Sequence, residues 1–143
     1  MAVVKWTKPQ VETFIKNNIR ASFRKFAPKE MCYKMASTGK KLNKATKRQA
    51  EHYKCADCGE EFPRKEVQCD HIEPVIDPKE GFKGWDEYIK RMLCLDEKLE
   101  ADFLYIAKYK LQILCSDCHT KKSTAENATR HEVKRERRKL VKD

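Results

Sequence analysis

Two Cys-x-x-Cys pairs, Cys55/Cys58 and Cys115/Cys118, bracket an Asp70-His71 dipeptide, and His119 follows the last cysteine directly. Four thiols in two such pairs are the donor set of one tetrahedral structural zinc ion. Asp70, His71 and His119 form a set of another kind. A carboxylate and an imidazole suit a harder, hydrolytic ion, and an imidazole titrates near neutral pH, so it can take a proton from water. A thiolate-bound ion that ties the two stretches together would carry the second set to one place. The chemistry this layout points to is metal-assisted phosphodiester hydrolysis. That reaction needs an activated water, charge neutralisation at phosphorus and help for the leaving oxygen.

The elements that must position these residues follow from periodicity and breakers. Thr7-Lys8-Pro9-Gln10 reads as a helix start, with Thr7 capping, Gln10 reciprocating and Pro9 in the first turn. Val11, Phe14, Ile15, Ile19, Phe23 and Phe26 then share one face, expected to pack into the core, and the helix is expected to stop before Pro28. Residues 29–54 are expected to continue as basic helix around a break at Ser37-Thr38-Gly39, decorated by Lys40, Lys41, Lys44, Lys47 and Arg48. Cys55-Ala56-Asp57-Cys58-Gly59 reads as a tight knuckle, its glycine relieving strain at the metal. Glu66 to Ile72 and Leu111 to Leu114 read as short strands. Two short amphipathic helices lie between them, marked by Trp85, Tyr88, Ile89, Met92 and Leu93, and by Leu99, Phe103 and Ile106. Ser116 or Asp117 caps a final helix through the basic tail. The expected fold class is α+β, mostly helical. A basic helical extension (1–52) precedes a core (53–129) holding a helical insertion (84–110), and a basic helical tail (130–143) follows.

Charge is distributed unevenly along the 143 residues. Residues 1–48 carry 13 Lys/Arg and 2 Glu, residues 49–129 carry 12 basic and 17 acidic side chains, and residues 130–143 carry 7 and 3. Basic flanks around an acidic centre suit a polyanion held at the edges while a cation sits in the middle. A solvated basic face without a partner is the plainer alternative. No apolar run is long enough for a membrane span, and the start is too short and polar for a signal peptide. Seven cysteines, four of them at metal-ligand spacing, fit a reducing cytoplasmic setting better than a disulfide framework. Cys32, Cys69 and Cys94 are then small buried hydrophobes.

With those residues in view, the chain resembles the HNH nuclease family. The family pattern runs C-x-x-C, then D-H-I-x-P, then N-L-Q-x-L-C-x-x-C-H-x-x-K. Here it reads Cys55-Ala56-Asp57-Cys58, Asp70-His71-Ile72-Glu73-Pro74, and Leu111-Gln112-Ile113-Leu114-Cys115-Ser116-Asp117-Cys118-His119-Thr120-Lys121-Lys122. The likeness is close over residues 53–124. A weaker likeness to small phage-encoded HNH proteins extends over most of the chain and includes Gly84-Trp85-Asp86-Glu87-Tyr88-Ile89. The resemblance implies a ββα-metal fold and a metal-dependent DNA endonuclease. His71 would be the general base, Asp70 and His119 the ligands of a catalytic divalent ion, and the four cysteines the ligands of structural zinc. Magnesium or manganese would be the catalytic ion, with nickel or zinc also suited to a His ligand.

Lys122 matches the family lysine and, with Lys121 and Arg64, is a candidate DNA phosphate contact. The pattern departs at its middle Asn, which in the family braces the loop and helps orient the base. Two alignments place Lys110 or Lys98 there, and lysine accepts no hydrogen bond. Gln112 is the side chain that could take over orientation of His71. That departure keeps open a noncatalytic zinc-stabilised DNA-binding module. The phage likeness adds an accessory protein acting with a packaging terminase, located in the host cytoplasm.

Overall fold

The computed structural model describes residues 5–142. Met1–Val4 of the polar start and Asp143 of the tail lie outside them. The architecture is α+β, with more than half of the residues helical and two small antiparallel sheets. Helix α1 (Lys8–Ser22) opens as the sequence predicts: Thr7 and Gln10 form a reciprocal capping box and a proline occupies the first turn. A 3-10 turn, Phe23–Lys25, leads into α2 (Ala27–Ala36), which starts with Pro28 in its first turn and does not end at it.

Beyond α2 the expectation of a continuing basic helix fails. Residues 37–54 form a hairpin of β1 (Ser37–Asn43) and β2 (Arg48–Lys54). Lysine and alanine favour helix, but propensity is a weak prior, and here strand pairing overrides it. On its far side β2 pairs with β3 (Glu61–Pro63), and the first cysteine pair sits in the turn between them. At the tip, the Asn43 side chain accepts the N–H of Ala45 at 3.0 Å, and the Lys47 N–H closes on the Asn43 carbonyl. Gly39, at φ +96, occupies the irregular step in the ladder.

The second sheet pairs β4 (Val67–His71) with β5 (Leu111–Cys115) in antiparallel register, Asp70 opposite Gln112 and His71 opposite Leu111. Between them lie α3 (Trp85–Leu93) and α4 (Phe103–Tyr109), and β5 runs straight into α5 (Ser116–Lys142). The core draws Phe23, Cys32 and Tyr33 from the N-terminal third and packs them with Val67, Met92, Ile106 and Ile113. The segment before residue 53 is therefore built into the core. Arg64 clamps the two regions: its guanidinium lies 3.3 Å from the Tyr33 ring centre and donates to Glu30 at 2.7 Å.

The apolar stripe of α1 divides. Its far end, Ile19, joins the core, whereas Phe14 is 52% exposed and stacks edge-on against Trp6 at 5.0 Å. No α1 side chain is buried, so the expectation of core packing fails for that half. Among the described residues no helix is long and apolar enough to cross a membrane.

Strand β5 supports both cysteine pair and groove, so its packing is a sensitive point. Ile113 is 2% exposed in the core. Ile113→Ala is expected to cost about 2–5 kcal/mol through lost burial and the cavity left behind. A urea titration reads this as a lowered midpoint. An unchanged midpoint would mean that β5 does not carry the core.

Candidate functional site

The cysteine pairs meet. One sulfur from each of Cys55, Cys58, Cys115 and Cys118 lies within 4.8 Å of all the others. A tetrahedral zinc with Zn–S of about 2.3 Å spaces its sulfurs by roughly 3.8 Å, and Cys58 and Cys115 already stand 4.0 Å apart. Main-chain geometry prepares the ligands. Cys55 is fully buried, and its sulfur accepts the Cys115 N–H at 3.3 Å. The Gly59 N–H returns to the Cys55 carbonyl at 3.0 Å, in a turn that needs φ +74 at Gly59. Burial opposes ionisation of Cys55, but the N–H groups of Cys115, Cys58 and Asp57 outweigh it and hold its thiol down at about 6. Crowding by Cys115 and burial push the Cys118 thiol up. Four thiols packed so closely need a cation to ionise together, and the donor set fits zinc.

This tetrad sits where β5 turns into α5, and it fixes the residue that follows. His119 in the first turn of α5 faces the last residues of β4, with its Nε2 3.8 Å from Asp70 Oδ1. Asp70 is partly buried and receives the Lys122 ammonium on Oδ2, with Gln112 Nε2 at 3.2 Å from the same oxygen. Lys122 also donates to the His71 carbonyl. Gln112 therefore holds Asp70, and the expected contact to His71 is not made.

Neighbouring strand residues point to opposite faces, but His71 is the end of β4. There the Ile72 N–H still bonds the Lys110 carbonyl at 3.0 Å, one step past the last strand pair in the same register, and the chain then turns off at Pro74. At this strand end His71 and Asp70 both line one groove of about 610 Å³ together with His119 and Lys122. The His71 ring rests on Phe23, centres 4.7 Å apart. Its Nε2 is 2.7 Å from the Met92 carbonyl. A carbonyl only accepts, so Nε2 carries the hydrogen and Nδ1 is left as the basic nitrogen. Met92 lies in the last turn of α3, where carbonyls have no intrahelical donor. Burial is the main influence on the imidazole and keeps its pKa below the ordinary value, assisted by the Lys122 charge and opposed by the Met92 bond and Asp70.

A main-chain carbonyl thus stands where the sequence lacks an acceptor side chain: Met92 orients the imidazole, while the Lys110 carbonyl continues the β4–β5 pairing. Of the two lysines aligned with the missing Asn, Lys110 lines a smaller cavity of about 290 Å³ together with His71. Lys98 is exposed in the turn after α3.

The other candidates disperse. Lys121 is exposed and outside the groove lining, and Arg64 is engaged by Glu30 and Tyr33. Two groove cations went unseen in the sequence, Arg20 of α1 and Arg130 of α5. Arg130 is held by neutral acceptors, the Asn127 side chain at 2.9 Å and the Ile76 carbonyl at 3.2 Å, so its charge is not cancelled by them. Its signal was helical spacing, since His119, Lys122, Glu126 and Arg130 follow one face of α5. Arg20 carried no signal, because it reaches the groove only through the packing of α1.

No family model, curated protein or solved structure matches the chain.

Proposed function

We propose that the protein is a divalent-metal-dependent endonuclease of the HNH type, acting on DNA. The observation that carries this reading is the convergence of Asp70, His71 and His119 on one groove, with the imidazole tethered at Nε2 and free at Nδ1. In this reading Asp70 and His119 would hold a divalent ion, whose chemistry would be to polarise the phosphate and neutralise the leaving oxygen. His71 Nδ1 takes the proton from the attacking water. Arg20 and Arg130 receive the flanking phosphates. The tetrad zinc braces the corner that aims His119. Lys122 occupies the mouth of the Asp70–His119 pair as an internal counter-charge, and the ion would compete with it for Asp70.

The test is nicking of supercoiled plasmid with magnesium, manganese, nickel and zinc in turn. Wild type is expected to nick with at least one ion and not without. Asp70→Asn is expected to lose both nicking and the binding of that ion seen by calorimetry, while keeping its tetrad metal. DNA binding with no nicking by any ion would favour the noncatalytic zinc-stabilised module. The lysines in place of the Asn and the Lys122–Asp70 pair are what speak for that alternative. Co-purification of a terminase subunit from infected cells would add the packaging role, which only the sequence resemblance suggests.

A further inference from the structure

The β1–β2 hairpin is the largest feature the groove chemistry does not use. Residues 39–42 and 44–49 are all exposed, so the outer part of the hairpin packs on neither face. A two-stranded ribbon without a covering layer is marginal in water, and this one has little apolar surface to hide. Its exposed large apolar side chain is Leu42. Between Glu30 and Glu51 there is no acidic residue, while Lys40, Lys41, Lys44, Lys47 and Arg48 fall within nine positions. Lys41 pairs with Glu61; the other four make no ion pair among the described residues.

The register distributes these charges around the ribbon. Lys41 lies opposite Ala50 and Asn43 opposite Arg48, which sets Lys41 and Arg48 on one face. Lys40, opposite Glu51, lies on the other face, and Lys44 and Lys47 sit at the tip. A membrane surface would call for one apolar face and one basic face, and the ribbon has no apolar face. Cations on both faces and the tip suit a cleft with phosphates along both walls.

We propose that this ribbon docks in the major groove of B-form DNA. The inference rests on DNA as the substrate but not on cleavage. The major groove, about 12 Å wide, admits a two-stranded ribbon. The five residues at the exposed end of β1, 39–43, reach roughly 17 Å at about 3.3 Å each, enough to span the groove and meet both phosphate walls. The A-form major groove of duplex RNA is too deep and narrow for it. The docking would anchor the duplex while the Asp70–His119 groove engages a phosphate.

The experiment is fluorescence anisotropy with a 20-base-pair DNA duplex and the RNA duplex of the same sequence, across a salt series without added magnesium. The combined variant Lys40→Ala, Lys44→Ala, Lys47→Ala and Arg48→Ala is expected to bind DNA at least about tenfold more weakly. Its slope of log affinity against log salt should shrink by about 3 to 4, one counterion for each lost contact. A single Lys44→Glu change in the exposed tip should weaken binding in the same direction without touching the fold. Replacing Lys40, Lys44 and Lys47 with arginine should leave the slope unchanged. Wild-type affinity and slope in the combined variant overturn the proposal, as does equal binding of RNA and DNA duplexes. Plasmid nicking is read separately. A combined variant that binds like wild type, beside a wild type that nicks, removes the ribbon and leaves the nuclease. Lost binding in the variant, beside a wild type that never nicks, supports the ribbon and removes the nuclease.

Discussion

Stripped of the metal in its cysteine tetrad, the protein is expected to lose its cooperative thermal transition and to release one equivalent of zinc per chain. The four sulfurs gather from two turns about 60 residues apart in sequence. Few other contacts hold that corner: the buried cluster around the tetrad is Cys55, Cys115 and Cys118 with Leu114, and Phe62 packed against them. Structural zinc in such sites is worth about 10–16 kcal/mol, against about 5–15 kcal/mol for the net stability of a whole domain. Without the ion, Cys55 favours the thiolate while Cys58 and Cys118 favour the thiol. The apo corner therefore keeps mutually crowded, mismatched sulfurs. Cys55→Ala should act like chelation, because it removes a ligand and the acceptor of the Cys115 N–H. Cys58→Ser, at the exposed ligand, should weaken zinc retention with the smaller effect on folding. Calorimetric melting with metal analysis checks both. A metal-free protein that melts at the temperature of the loaded one would remove the structural role.

What the sequence disclosed depends on whether a signal lies in residue type or in packing. The tetrad was legible because two Cys-x-x-Cys pairs at metal-ligand spacing mark one shared site by residue type alone. The strands over 67–71 and 111–115 were legible from apolar runs, and the long last helix was expected too, but Ser116 and Asp117 lie inside it and Ser116 Oγ donates to the Glu66 carbonyl instead of capping. The hairpin was not. Its lysines and alanines read as helix, whereas its two strands pair with each other across the Asn43 turn and β3 joins only residues 52–54 of β2. The stripe on α1 had the right period but the body covers only its far end, so periodicity overstated burial. The partners of His71 were illegible for a different reason. The Met92 carbonyl is main chain and leaves no trace in residue identity, so a missing Asn looked like a missing function. Arg64 and Arg130 exchange roles on the same grounds. Both are arginines beside the motif, and only the fold shows Arg64 stacked on Tyr33 and Arg130 open to the groove.

In the proposed nuclease, His71→Ala should lower nicking by about 10²–10⁴-fold, the usual contribution of a positioned general base, with zinc content and melting near those of wild type. The substitution removes the Nδ1 base and leaves the Met92 carbonyl without its donor at the wall of the groove. A purely structural His71 would instead show as a lowered melting temperature with a proportionate loss of activity. The pH profile separates the two further. Burial disfavours the charged ring, so the folded pKa lies below the ordinary 6.5. The base must be neutral to work. Activity should therefore be flat above that ordinary value and fall on the acid side with a midpoint below it. Folding stability follows the same sign. As pH drops below 6.5 the unfolded chain takes up the proton first, so the contribution of His71 is full above 6.5 and is lost as pH falls through the folded pKa. Nicking by His71→Ala at the wild-type rate, or an acid limb centred above 6.5, would take the imidazole out of the mechanism. The Asp70–His119 pair would then stand as an ion site without its base.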